Sequence, residues 1–281
     1  MKTKLLALAL SLAACAAQAA PTFSFTNVPA GWDGRYSIKL TGFESFSAGL
    51  SVGSQNFGVL KITSITTIGF GSTTIWSDGQ NGAEITGVFS AIQVAAFTPA
   101  GPGGFLEATG GSAAFFINPF GSYAGVGGAG QGTGGYAAET GGSCAANNNC
   151  YHGISDVAGG GLLLSADYVP GVFGADTVAG SLIASNPLRG SAAGFLAVSG
   201  GSAQALFDTN GFVGGTADLN ANNTFCTVGT DACATVGEAG NWQLAIDDPV
   251  KGSVKLPEPA SLALVGGALL GLGLVRRRKS A

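Results

Sequence analysis

Gly104-Phe-Leu-Glu-Ala-Thr-Gly-Gly-Ser-Ala113 returns further along the chain as Gly194-Phe-Leu-Ala-Val-Ser-Gly-Gly-Ser-Ala203, with seven of ten positions identical. Each copy reads as an extended run, a Gly-Gly pair and a second extended run. A Gly-Gly pair supplies the positive-φ residues of a two-residue type I′ turn, so the copies predict β-hairpins at 104–117 and 194–207. Working outward, the alternating or β-branched stretches Thr22–Thr26, Tyr36–Thr41, Phe57–Thr66, Glu84–Ala95, Leu162–Val169, Ser181–Ser185, Trp242–Ile246 and Ser253–Leu256 read as strands. Clusters of Gly, Asn, Asp and Pro separate them. Only Gly161–Ala166 offers a short helix as an alternative. The fold class expected is all-β, an antiparallel β-sandwich-like body with glycine-rich loops. Residues 121–142 carry Gly at nearly every second or third place and read as a flexible loop.

Glycine supplies 48 of 281 residues, well above the usual ~7%, and charged residues only 10% against ~25%. A disordered chain is poor in apolar residues and rich in charge; this one is 46% hydrophobic with seventeen Phe, so the body is expected to fold. Residues 20–256 hold six basic and fifteen acidic side chains, a balance of 6 − 15 = −9. Nucleic-acid binding needs a basic footprint, and no nucleic-acid partner is expected.

The two ends carry different signals. Lys2 and Lys4 precede the apolar run Leu5–Ala14, and Ala17-Gln18-Ala19 follows. That is the layout of a secretory signal peptide over residues 1–19, a substrate for signal peptidase. Leu12-Ala13-Ala14-Cys15 also resembles a lipobox, which would make Cys15 a lipidation site. At the other end, Pro257-Glu258-Pro259 precedes an apolar stretch, Leu262–Val275, and then Arg276, Arg277, Arg278 and Lys279. The sixteen residues from Ala260 to Val275 span ~24 Å as a helix, just short of an ordinary membrane crossing. The basic cluster would stay cytoplasmic.

This tripartite end, residues 257–281, resembles the PEP-CTERM sorting signal of Gram-negative bacteria. Asn56–Ile65, Trp76–Phe89 and, more weakly, Gly214–Leu219 resemble segments of uncharacterised proteins that carry such ends. The resemblance implies processing by an exosortase, a membrane-held intermediate, and a destination at the cell surface or extracellular matrix, in association with exopolysaccharide and biofilm. It implies nothing about the chemistry of the body.

That chemistry is thin. The single histidine, His152, lies in Cys150-Tyr-His-Gly. Cys144, Cys150 and His152 are near enough to suggest a metal site, but an exported chain favours disulfides, so no metal and no cofactor are expected. Cys144/Cys150 and Cys226/Cys233 form two close pairs, and local bridges are the simplest of three connectivities. No nucleophile motif is read. Among carboxylates, Glu84, Glu107 and Asp167 are those that would have to converge for hydrolysis. The expected function is a structural or adhesive surface protein without catalysis. The alternative is a carbohydrate-binding module using Trp32, Trp76 and Trp242 as platforms. An ice-binding protein, from Thr63, Thr66, Thr67, Thr73 and Thr74, ranks lower because those threonines are irregularly spaced.

Overall fold

Along the first strand the alternation is realised residue by residue. Tyr36, Ile38 and Leu40 are buried, while Arg35 and Lys39 are exposed. A strand turns successive side chains to opposite faces, and here the apolar set faces inward and the charged set outward. The computed structural model describes residues 21–47, 49–69, 71–98, 104–121, 160–171, 174–185, 188–228 and 242–256. It contains strands β1 (Arg35–Phe46), β2 (Gln55–Thr67), β3 (Thr74–Ser77), β4 (Ala83–Thr98), β5 (Phe105–Pro119), β6 (Gly161–Val169), β7 (Val178–Ser185), β8 (Leu188–Gly200), β9 (Leu219–Thr227) and β10 (Leu244–Ser253). One helical turn, α1 (Gln204–Phe207), lies between β8 and β9.

All ten strands belong to one antiparallel sheet, and the sheet closes on itself. β1 pairs with β2 on one side and with β10 on the other. β3 and β4 lie end to end along β2, and β6 and β7 lie end to end between β5 and β8. Ten strands therefore fill eight positions of an up-and-down ring. Closure removes the unpaired edges that an open sheet exposes. The body is all-β and antiparallel, as the alternation implies. The two packed layers expected of a sandwich are here opposite walls of one closed sheet.

The Gly-Gly hairpins do not form. Gly110 and Gly111 take positive φ values of 69° and 103°, yet β5 runs straight through them. Inward-facing residues are Leu106 and Ala108 before the pair, and Ala113, Phe115 and Ile117 after it. The pair is thus a bulge that shifts strand parity and keeps the apolar set inside. In the second copy β8 ends at Gly200, Gly201 takes φ 102°, and the chain enters α1. Gly161–Ala166 is strand, not helix. Thr22–Thr26 forms no strand, and Ser253–Leu256 only finishes β10. β9 is a strand that the reading above omits.

An eight-position ring leaves an interior just wide enough for side chains to fill. Glycines on the wall make that filling work. A Cβ on Gly58 would lie 2.6 Å from the Phe89 ring, on Gly87 2.8 Å from Phe115, and on Gly190 2.7 Å from Phe225. Each aromatic ring crosses the lumen over a bare stretch of backbone. One end of the ring is closed by aromatics: Phe23 stacks edge-on against Phe25 at 5.1 Å, Phe25 against Trp32 at 5.9 Å, and Tyr36 against Phe207 at 5.6 Å. Residues 1–19 with Cys15, 122–142 of the glycine-rich loop, Cys144, Cys150, His152, Cys233 and residues 257–281 lie outside the described residues.

Candidate functional site

Opposite the aromatic plug, the β1–β2 turn caps the other end, and the inward face of β1 ends in Leu40, Gly42, Glu44 and Phe46. Glu44 stands between Leu244 on β10 and Gly58 on β2. Its carboxyl enters a cavity of about 40 Å³ lined by Asn56, Phe89, Tyr168, Asn223 and Phe225 among others. A second cavity of about 30 Å³ shares Phe89, Tyr168, Ala221 and Asn223 with the first. Tyr168 is held between Gly111 and Gly194, whose Cβ atoms would lie 2.9 and 2.8 Å from its ring.

Burial decides the electrostatics. Glu44 is 7% exposed, and desolvation pushes its carboxyl up to about 7 from 4.5, with the Asn56 amide opposing only in part. The Tyr168 phenol is pushed far above its usual range, first by burial and then by the charge of Glu44. The cavity thus holds one carboxyl poised between protonation states, two amides and a phenol, among aromatic and aliphatic walls.

Space limits what this set can do. A water needs roughly 10–15 Å³ of such volume, so about 40 Å³ admits a few waters; ligand pockets run to roughly 300–1,000 Å³. At the plugged end of the ring, a groove of about 420 Å³ lies between Phe23, Ile117, Leu163 and Leu206, with no titratable side chain in its lining among the described residues.

The residues singled out by sequence fare differently. Trp32, Trp76 and Trp242 are 5%, 0% and 3% exposed. Trp32 and Trp76 pack in the main core, and Trp242 packs against Phe57 at 6.0 Å in a second buried cluster with Phe43 and Val59; none presents a ring face to a sugar, which corrects the platform expectation, since aromatic mass was buried where it covers most area. Glu84, Glu107 and Asp167 do not converge. Glu84 pairs in register with Asn118 of β5, whereas Asp167 pairs with Ser112, six residues or roughly 20 Å away along the strand. Glu107 is five residues further on. Cys226 is disulfide-bonded, and the other four cysteines lie outside the described residues. The threonines considered for ice form no array: Thr67 is buried, and Thr63 and Thr66 hydrogen-bond to the Lys39 and Ser37 carbonyls of β1.

Two features escaped the reading. Gly49-Leu-Ser-Val-Gly53 spells the G-x-S-x-G pattern. It lies in the turn joining β1 to β2, not in the strand-to-helix turn that a nucleophile elbow requires. Ser51 there is tied to Ser54, whose hydroxyl donates to the Ser51 carbonyl at 2.7 Å. Glu44 was also missed, although its place in the inward parity of Tyr36, Ile38 and Leu40 marked it. Among the described residues no group of three or more His, Cys, Asp and Glu gathers to hold a metal, and no helix is long and apolar enough to cross a membrane. No family model, curated protein or solved structure matches the chain.

Proposed function

We propose that the chain is an exported, exosortase-sorted structural or adhesive protein of the cell surface or extracellular matrix of a Gram-negative bacterium, associated with exopolysaccharide or biofilm, whose body does no catalysis. Signal peptidase and exosortase are its processing partners, and the 262–275 helix is its membrane hold before processing. The observation that carries this reading is the filled lumen. A ring whose interior is occupied by its own side chains, down to cavities of about 40 and 30 Å³, has its outer wall left for partners. In this reading the body is sandwich-like in use: two packed walls, each presenting a face outward.

A carbohydrate-binding reading of that same wall is favoured by a different feature from the tryptophans. Ser181, Ser191, Thr224 and Asp247 follow one another in register across β7, β8, β9 and β10. Such a row offers hydroxyls and a carboxylate at the ~4.8 Å strand spacing. An exopolysaccharide pull-down comparing Ser191→Ala/Thr224→Ala with the wild type separates binding from a purely structural role.

The sorting reading is tested by fractionating a host with a working exosortase. Mature protein is expected in the surface or matrix fraction without the residues that follow Pro259. Neutral replacement of Arg276–Lys279 is expected to impair retention and processing. Surface-located protein that retains Ala281 contradicts the proposal.

A further inference from the structure

On the outer wall, under the ring of Phe120, one lysine stands between two carboxylates. Lys61 Nζ is 2.8 Å from Asp78 Oδ2 and 3.4 Å from Glu84 Oε2. Its side chain is 10% exposed, that of Glu84 is 0% exposed, and that of Asp78 is 25% exposed. Phe120 covers the ammonium at 5.8 Å from the ring centroid. Three separate strands or connections deliver these groups: β2 carries Lys61, the excursion between β3 and β4 carries Asp78, and the start of β4 carries Glu84. The excursion is pinned, since Asp78 N donates to Thr63 O at 3.1 Å and Gly79 N to Ala83 O at 2.9 Å. Gly121 N approaches Glu84 Oε2 at 3.3 Å. Asp78 Oδ1 is buried with no hydrogen-bond partner among the described residues.

We infer that this cluster is a self-modification site at which Lys61 and Asp78 join through an amide bond, with Glu84 as the proton relay. The geometry is that of a reaction held ready. A contact of 2.8 Å to Oδ2 puts the Asp78 carboxyl carbon roughly 3–3.5 Å from the amine, the separation of a near-attack conformer. Glu84 takes a proton from the Lys61 ammonium, which frees the nitrogen lone pair, and hands it to the Asp78 carboxylate. The amine attacks Asp78 Cγ, the Nζ–Cγ bond forms, and one Cγ–O bond breaks. Of the ammonium's three protons, one stays on the amide nitrogen and two leave on the departing oxygen as water, relayed by Glu84, which ends as it began. No oxidant, reductant or activated donor enters. Asp78, the most exposed of the three, gives the water its exit. The product staples β2 to the β3–β4 excursion, across the point where two end-to-end strands meet.

The test is peptide mapping by mass spectrometry on the full wild-type chain. The expected result is a cross-linked species joining the peptides that contain Lys61 and Asp78, lighter than their sum by one water. Glu84→Gln is expected to slow its formation by roughly 100-fold or more, the usual worth of a positioned acid–base group. Asp78→Ala is expected to abolish it. Recovery of Lys61 and Asp78 in separate, unmodified peptides from aged wild-type protein overturns the inference, and needs no variant to fold. Loss of ammonia with Lys61 joined to Asn118 overturns the assignment of Asp78. Cross-linking of Glu84→Gln at the wild-type rate overturns the role of Glu84.

Discussion

Glu44 and Glu84 are both nearly or wholly removed from water, at 7% and 0% exposed, and they meet opposite surroundings. Glu84 lies in the wall with Lys61 at 3.4 Å and a backbone amide beside it. Glu44 lies in the lumen, where no cation among the described residues lines its cavity and burial pushes its carboxyl up to about 7. Burial alone favours the neutral acid; burial beside a lysine makes an ion cluster whose parts depend on one another. The comparison separates a residue that the fold tolerates from one that it uses.

The largest expected effect comes from breaking the cluster. Compared with wild-type chain in which the amide has not yet formed, Lys61→Met leaves two carboxylates without their cation, and removing one partner of a buried pair costs about 3–5 kcal/mol. Denaturant unfolding of the variant measures it. Lys61→Met combined with Glu84→Leu is expected to recover part of that loss, because an apolar replacement of the buried Lys61–Glu84 pair is close to neutral, while the more exposed Asp78 still lacks its cation. A single variant within ~1 kcal/mol of wild type would put Glu84 in the same class as Glu44.

The lumen is probed by pH. Folded Glu44 holds its proton up to about 7, whereas the unfolded chain releases it near 4.5. The folded state therefore binds more protons across that window, so stability falls as pH rises through it and levels off above it. The shift corresponds to about 3 kcal/mol. Glu44→Gln is expected to remove this slope. Parallel stability curves for the two proteins would break the comparison.

A smaller effect tests the packing that fills the lumen. Gly58→Ala places a methyl 2.6 Å from the Phe89 ring and against the Phe43 carbonyl, and overpacking of this kind costs about 1–3 kcal/mol. Thermal unfolding of Gly58→Ala alone and with Phe89→Leu checks it, the second change being expected to recover part of the loss.

The strands were legible because their apolar residues alternate, and β1, β2, β4, β6 and β7 lie where Tyr36, Phe57, Glu84, Leu162 and Ser181 placed them. Ring closure was not legible, since it depends on β1 pairing with β10 across the length of the chain. Gly110–Gly111 misled because positive φ serves a bulge as well as a turn, and only the partners on β4 and β6 decide between them. β9 was passed over because Asn220, Asn222 and Asn223 resemble loop composition, although Leu219, Ala221 and Phe225 keep the alternation. The lysine cluster has no local signature: Lys61, Asp78 and Glu84 meet only through the pairing of β2 with β3 and β4.

The claim beneath all of this is that the ring encloses a filled interior in which Glu44 is shielded from bulk water. A carbon-detected NMR titration of the Glu44 side-chain carboxyl in the full chain, assigned by difference from Glu44→Gln, tests it most directly. The account predicts a midpoint at about 7. A midpoint near 4.5, the ordinary value for the group, would show that water reaches the lumen freely, and would contradict it.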